Sequence, residues 1–245
     1  MAHSTISHGE LGGCSRTGGY VAAMLPAVRR NPSAILLFVQ LGGVLLYPFM
    51  EGSDAGRAIF SAFGIVVLAL AVLAVRATPT LTWVSLLFAL PATVLLVIQA
   101  VGDHDELLPY SSALEAVLYF YAAWALVRYM LADHVITTDE LFAVGATFTL
   151  AAWGWAYTYQ VVQAIEPSSF TAAVDPRDAR TWVELLFLSF TTLTSTGLSD
   201  VVPVKAFARS VVMLEQLMGL GYVAMLVSRL VAQMVLNRQG ETEQG

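Results

Sequence analysis

The sequence predicts an all-α membrane protein. Of its 245 residues, 57% are hydrophobic and only 12% are charged, and the mean hydropathy is +0.70. A soluble domain carries about 25% charged residues, so this composition excludes an ordinary soluble enzyme. It also excludes a disordered chain, which needs low hydrophobicity and high charge. The apolar residues fall in long runs, and a helix that spans a bilayer needs roughly 20 of them.

Six apolar runs are long enough to span a bilayer, and a seventh is too short. The six predicted spans are Ser33–Met50, Ala58–Val75, Thr80–Val101, Ala113–Ala132, Leu141–Ile165 and Val204–Leu236. The seventh run, Trp182–Thr194, suits a re-entrant or buried helix. We therefore expect six transmembrane helices and one re-entrant helix.

The arginines and lysines set the expected orientation, because short loops rich in these residues stay on the cytoplasmic side. With both ends of the chain inside, Arg76, Arg128 and Arg229 lie at the cytoplasmic face. The acidic loops around Asp54 and Asp105 then lie outside. The sequence thus predicts a multi-pass protein of the cell (inner or plasma) membrane with both termini cytoplasmic.

Several other classes of protein find no support in the sequence. The single cysteine, Cys14, excludes an intramolecular disulfide and a cysteine-based zinc site. The net charge of −6 argues against a nucleic-acid partner, since no basic patch is available to neutralise phosphates. No catalytic triad, phosphate loop or zinc motif is present. We therefore expect no enzyme.

The segment after the short helix is rich in oxygen atoms. Thr181 and Glu184 have the spacing of a capping box, which predicts a helix start. Helix propensity then fades into residues that are poor helix formers but supply hydroxyl groups, and Gly197 follows; these residues are Thr191, Thr192, Thr194, Ser195 and Thr196. Non-helical backbone at membrane depth survives only where protein or a water-filled cavity surrounds it. Since an extended strand of carbonyls replaces the hydration shell of a cation in known filters, the pattern predicts a pore loop.

This segment resembles the filter of tetrameric potassium channels, which reads Thr-Val-Gly-Tyr-Gly-Asp. The similarity is to bacterial two-span-pore channel proteins and covers about Phe142–Leu236. The resemblance implies a homotetramer in the lipid bilayer, with one pore loop from each chain. It also implies monovalent cations (K⁺ or Na⁺) bound at Ser195, Thr196 and Gly197, and no other cofactor. The residues that match the filter are Ser195, Thr196, Gly197, Leu198, Ser199 and Asp200.

Two positions depart from the family pattern. Leu198 stands where the family has tyrosine, and Ser199 stands where it has its second glycine. Glycine permits backbone angles that a residue with a Cβ disfavours, so we expect Ser199 to strain or rearrange the outer carbonyl site. A single retained glycine resembles the filters of the Trk/Ktr potassium-transport superfamily. We expect potassium permeation with relaxed selectivity through a filter at Thr194–Ser199; the alternative is a non-conducting membrane scaffold or sensor with the channel fold.

Residues around the filter also receive candidate roles. Asp200 is expected at the outer mouth, where it either shapes ion entry or bonds the pore helix as a structural carboxylate. Gly219 and Gly221 are expected to form an inner-helix hinge or to permit close helix packing. Glu215 is expected to bond the pore helix of its own or a neighbouring subunit. The expected lining of an apolar inner cavity is Leu220, Val227 and Val231.

The sequence divides into four predicted regions. Residues 1–31 form a cytoplasmic tail or a short interfacial helix, and residues 32–136 form a four-helix peripheral domain. That domain lacks voltage-sensor charges, because its fourth span carries one arginine, Arg128, and a sensor needs several. Arg128 and Glu115 are expected at its two interfaces. Residues 137–236 form the pore domain (outer helix, pore helix, filter and inner helix), and residues 237–245 form a short cytoplasmic tail.

Overall fold

The structure is a computed structural model, and it describes residues 32–50, 79–101, 105–132 and 138–242, together with residues 63, 64, 66, 67, 69, 70 and 73. This part of the chain is helical apart from its loops and one small sheet. A 3₁₀ turn occupies Asp105–Leu107. The helices are α1 (Pro32–Met50), α2 (Pro79–Val101), α3 (Leu108–Met130), α4 (Thr138–Ile165), α5 (Trp182–Leu193) and α6 (Ala206–Thr242).

The described helices match five of the predicted spans and the short re-entrant helix. Helices α1 to α4 begin before their apolar runs, because polar and proline residues such as Pro79 and Thr138 are favourable in or near a first helical turn. Helix α6 instead begins at Ala206, two residues inside its run. Of the run Ala58–Val75, only the scattered positions given above are described, and each is helical. The predicted tail 1–31 lies outside the described residues, as do residues 243–245 of the other tail.

Two of the described helices are long and apolar enough to cross a membrane, by length and composition. They are Leu108–Met130 and the segment Ala206–Arg229 of α6. Pro32–Tyr47 and Trp83–Gln99 are apolar but shorter. The topology with six spans therefore stays a prediction.

Helix α4 lies at the centre of the described fold. It packs against α1, α3, α5 and α6, and α2 packs on the other side of α3. Its first turn carries Asp139 and Glu140, which suit the positive end of the helix dipole. The Asp139 carboxylate also accepts hydrogen bonds from the Ser33 amide, at 3.1 Å, and from the Ser33 hydroxyl, at 3.0 Å. These bonds join the start of α1 to the start of α4.

An aromatic cluster fills the space between α3, α4 and the start of α5. Tyr119 stacks on Tyr157 with ring centroids 5.6 Å apart, and Trp153 meets Trp182 edge-on at 5.0 Å. Such pairs contribute about 0.5–1.5 kcal/mol each beyond their buried area. Glu115 lies beside this cluster, within hydrogen-bonding reach of Tyr157, and is only 1% exposed. Glu115 therefore lies inside the contact between α3 and α4, and its expected position at the membrane interface stays a prediction.

A two-stranded antiparallel sheet closes the loop around α5. Strand β1 (Phe170–Thr171) pairs with β2 (Val202–Pro203), with Phe170 opposite Pro203. Next to the pair, the Val204 amide donates to the Ser169 carbonyl at 2.9 Å. The chain before α5 and the chain after the candidate filter therefore meet. Residues 172–201, which include α5, therefore form a loop whose two ends are held together by the sheet.

Arg180 holds the connection between β1 and α5 in place. Its guanidinium donates to the backbone carbonyls of Val174 and Asp178 and pairs with the Glu184 carboxylate at 2.9 Å. The Gln163 side chain, on α4, bonds both the amide and the carbonyl of Arg180. This buried arginine thus fixes the start of α5 relative to the end of α4.

Candidate functional site

The short helix α5 begins at the predicted capping box. The Thr181 hydroxyl accepts from the Glu184 amide at 3.4 Å, and the Glu184 carboxylate accepts from the Thr181 amide at 2.6 Å. The assignment of Glu184 as a cap is confirmed. The reciprocal bonds satisfy two amides that have no partner within the helix.

The same helix ends in a Schellman motif at Ser195. The Ser195 amide donates to the Thr192 carbonyl at 3.0 Å, and the Thr196 amide donates to the Thr191 carbonyl at 3.0 Å. Ser195 has a φ of 57°, in the left-handed region where such motifs usually place glycine. This turn redirects the chain out of α5 and into the candidate filter. Sequence analysis placed the end of the helix correctly but not this backbone conformation.

Residues 196–199 follow the turn as an irregular segment, called the strand below although it pairs with no described strand; residues 196–198 are exposed and Ser199 is half-buried. The amides of Thr196 and Gly197 both donate back to the Thr191 carbonyl, at 3.0 and 3.2 Å. Gly197 has a φ of 65°, which favours glycine even though open space surrounds its Cβ position. Within the described part of the chain, no hydrogen bond reaches the carbonyl oxygens of residues 195–198. These oxygens are therefore available to a ligand.

At the outer end of the strand, the backbone holds Ser199 without a positive φ. Ser199 therefore lies outside the left-handed region. In this segment, Ser195 and Gly197 are the residues with a positive φ. The Ser199 hydroxyl accepts from the Val201 amide at 3.0 Å and closes a local turn. The serine is thus accommodated by rearrangement rather than by strain. Asp200 is exposed, and among the described residues no hydrogen bond joins its side chain to α5, so the structural alternative for Asp200 is not observed in the single chain.

Glu215 on α6 joins three helices behind the strand. Its two carboxylate oxygens accept hydrogen bonds from the hydroxyls of Tyr159 on α4 and Ser189 on α5. Glu215 is fully buried. The expected bond between Glu215 and the short helix of its own chain is confirmed. Tyr159 was missed, because nothing in its sequence surroundings distinguishes it from the other aromatic residues of α4.

Gly219 lies where α6 passes the end of α5. A Cβ at Gly219 would overlap the Leu193 carbonyl oxygen and lie 2.9 Å from the Leu193 Cα. At Gly221, by contrast, nothing lies within 4 Å of a Cβ position. Helix α6 continues without a break through both glycines. The structure therefore gives Gly219 the close-packing role, and a hinge at either glycine stays a prediction.

One groove brings together the strand and the exposed face of α6. It has a volume of about 510 Å³ and includes Ser195, Gly197 and Leu220 in its wall. Val227 and Val231 lie further along α6 and are more than half exposed. Among the described residues, no group of three or more His, Cys, Asp or Glu side chains is arranged to hold a metal ion. The remaining wall residues of the groove are Thr191, Thr192, Met213, Gln216 and Leu217.

Comparison with known proteins identifies the segment that carries this site. Residues 116–235 match a family model described as an ion channel. Comparisons with curated proteins and with solved structures found no match. The matched segment begins within α3 and includes α4, α5, the exposed strand and α6 up to residue 235. The match supports an ion channel family and, together with the two long apolar helices, a membrane protein.

Proposed function

We propose that the chain forms a channel for monovalent cations, permeable to potassium with relaxed selectivity. The observation that carries this proposal is the conformation of the chain segment between α4 and α6. A short capped helix ends in a left-handed turn at Ser195 and passes into a strand whose carbonyl oxygens have no donor among the described residues. Carbonyls of this kind replace water around a cation in known filters. The ion channel match over residues 116–235 supports the same function.

Cations bind at Ser195, Thr196 and Gly197 in this proposal. The C-terminal end of α5 carries the negative end of its helix dipole, which favours a cation nearby. The Thr194 and Thr196 hydroxyls lie 3.0 Å apart at the same end and add oxygen atoms to this region. No other cofactor takes part.

A homotetramer follows from the exposure of apolar side chains. One chain contributes one strand, and a ring of carbonyls around an ion needs several strands related by symmetry. Leu198 is 78% exposed in the single chain, and a face of α6 is also apolar and exposed. Fourfold assembly around the strand would place these side chains against neighbouring chains and the central cavity. The exposed residues of this face are Met213, Leu217, Leu220, Val227 and Val231.

Relaxed selectivity follows from the outer half of the strand. Ser199 forms a turn with Val201 where the family's second glycine continues the filter. Leu198 carries no hydroxyl to bond the surrounding scaffold. The proposed filter therefore keeps its inner sites and lacks the rigid outer sites that strict discrimination between potassium and sodium requires. The chain lies in the cell membrane with six spans and both termini cytoplasmic.

The test is cation flux through the purified full chain in liposomes, measured beside two matched glycine substitutions. Gly197→Ala places a Cβ on a residue with φ of 65°, and we expect flux to fall at least tenfold. Gly42→Ala makes the same change in α1, where nothing lies within 4 Å of the Cβ position, and flux should be unchanged. Absence of flux from assembled native protein would instead favour the non-conducting scaffold or sensor.

A further inference from the structure

A second cavity lies behind the candidate filter, on the opposite side of α6 from the groove. It has a volume of about 460 Å³, within the range of about 300–1,000 Å³ typical of ligand sites. Its wall includes the contact between Leu193 at the end of α5 and Gly219 of α6. The large side chains of its walls are Phe120 and Trp124 of α3, Phe148 and Trp155 of α4, and Met218 and Tyr222 of α6.

The chemistry of this cavity is apolar. Its walls are formed almost entirely by aromatic rings and aliphatic side chains, and cavities with such walls stay dry and bind apolar guests. In a soluble protein a small apolar molecule would be the natural guest. In the membrane protein proposed above, on which this inference rests, the surrounding apolar material is the acyl chains of the bilayer.

An unpaired positive charge lies beside the cavity. The Arg128 guanidinium lies 5.1 Å from the centroid of the Trp124 ring, which forms part of the wall. Arg128 is exposed in the last turn of α3. Within the described ranges, no carboxylate lies within ion-pair distance of it. In the proposed topology this turn faces the cytoplasmic leaflet, where anionic lipids collect.

We propose that the cavity binds one acyl chain of an anionic phospholipid whose phosphate pairs with Arg128. The arginine selects the negative headgroup, and the cavity holds the chain without any specific polar contact. Because Leu193 and Gly219 form part of the wall, the bound chain packs against the point where the candidate filter begins. Occupancy of this site therefore supports the position of α5.

The experiment measures phospholipid retention by native mass spectrometry. The full chain is reconstituted in vesicles of equimolar phosphatidylglycerol and phosphatidylcholine, then released into mild detergent. We expect native protein to retain phosphatidylglycerol in preference to phosphatidylcholine. Arg128→Gln should lower phosphatidylglycerol retention about fivefold, as expected for one basic residue near a membrane surface, and Arg128→Lys should keep most of it. The control Arg177→Gln removes the same charge from an exposed loop position and should change nothing.

A second substitution tests the cavity itself. Ala151→Phe fills the cavity from the α4 wall and should lower retention of both lipids, with Ala151→Leu as a smaller change if the larger variant fails to assemble. Unchanged retention in Arg128→Gln, or in both Ala151 variants, would overturn the inference, as would an equal loss in Arg177→Gln. Retention is measured without ion flux. A conducting protein that retains no phosphatidylglycerol therefore overturns only this inference, and a non-conducting protein that retains it overturns only the channel proposal.

Discussion

Gly219 of α6 lies against the backbone of Leu193, the last residue of α5, so closely that a Cβ would overlap the Leu193 carbonyl oxygen. The two helices therefore meet backbone to backbone directly before the Schellman turn at Ser195. This contact fixes the end of α5, where the candidate filter begins, relative to α6. It also links any movement of α6 to the filter.

Gly219→Ala is expected to lower stability by about 1–3 kcal/mol, because overpacking displaces one helix from the other. Gly221→Ala is the matched control, since its Cβ position is open, and it should be neutral or stabilising by up to about 1 kcal/mol. The thermal unfolding midpoints of the two variants in detergent measure the difference. Equal midpoints for the two variants would show that Gly219 is not needed for close packing against Leu193.

Glu215→Ala is expected to cost about 1–3 kcal/mol for each hydroxyl that it leaves buried without a partner. The hydroxyls concerned belong to Tyr159 and Ser189. A double-mutant cycle between Glu215→Ala and Tyr159→Phe should show strong coupling. Glu166→Gln is the control, because the Glu166–Lys205 pair is 3.6 Å apart and more than a third exposed on both sides, and such a pair contributes little. Additive effects of Glu215→Ala and Tyr159→Phe on thermal stability would contradict this arrangement.

Ser195→Gly is expected to stabilise the chain slightly, by up to about 1 kcal/mol, because glycine adopts the left-handed conformation without a steric cost. Ser195→Val should be destabilising, since a branched side chain fits this region poorly. Ser199→Gly should not be stabilising, because Ser199 lies outside that region and accepts a hydrogen bond from Val201. Thermal unfolding distinguishes the three variants. A stabilising Ser199→Gly together with a destabilising Ser195→Gly would show that the conformations are reversed.

Glu140 and Arg229 form an ion pair at 2.9 Å between the start of α4 and the later part of α6. Removing one partner leaves the other charge poorly solvated, because the Glu140 side chain is only 4% exposed. We expect Arg229→Met to lower stability by up to about 3 kcal/mol and to raise cation flux by releasing the later part of α6. The charge exchange E140R with R229E should recover part of both properties. No effect of Arg229→Met on flux would show that this pair does not restrain the channel.

The local features of the site were predictable from neighbouring residues. Thr181 and Glu184 bond each other across three positions, so the start of α5 follows from sequence spacing. The run of threonine and serine after Leu193 also marks the end of the helix, since these residues favour turns over helix. Gly197 adopts a conformation that glycine favours, as the pattern indicates.

The long-range features were not predictable in the same way. The partner of Glu215 depends on how α4 and α6 cross, and the sequence offers several equivalent tyrosines on α4. The burial of Glu115 beside the aromatic cluster depends on how α3 and α4 pack, which its neighbours in the sequence do not specify. The left-handed turn at Ser195 was missed because glycine, not serine, is the usual signal for it.

The most direct measurement of the central claim is potassium flux against sodium flux through the reconstituted full chain, with the double variant Leu198→Tyr/Ser199→Gly measured beside it. We expect native protein to pass both ions, because the outer half of its filter is rearranged around Ser199. The double variant places the tyrosine and glycine of potassium channel filters at the two positions and should shift the flux ratio towards potassium. If neither protein passes either ion while both assemble as tetramers, this segment is not an ion filter, and the chain is a scaffold or sensor with the channel fold.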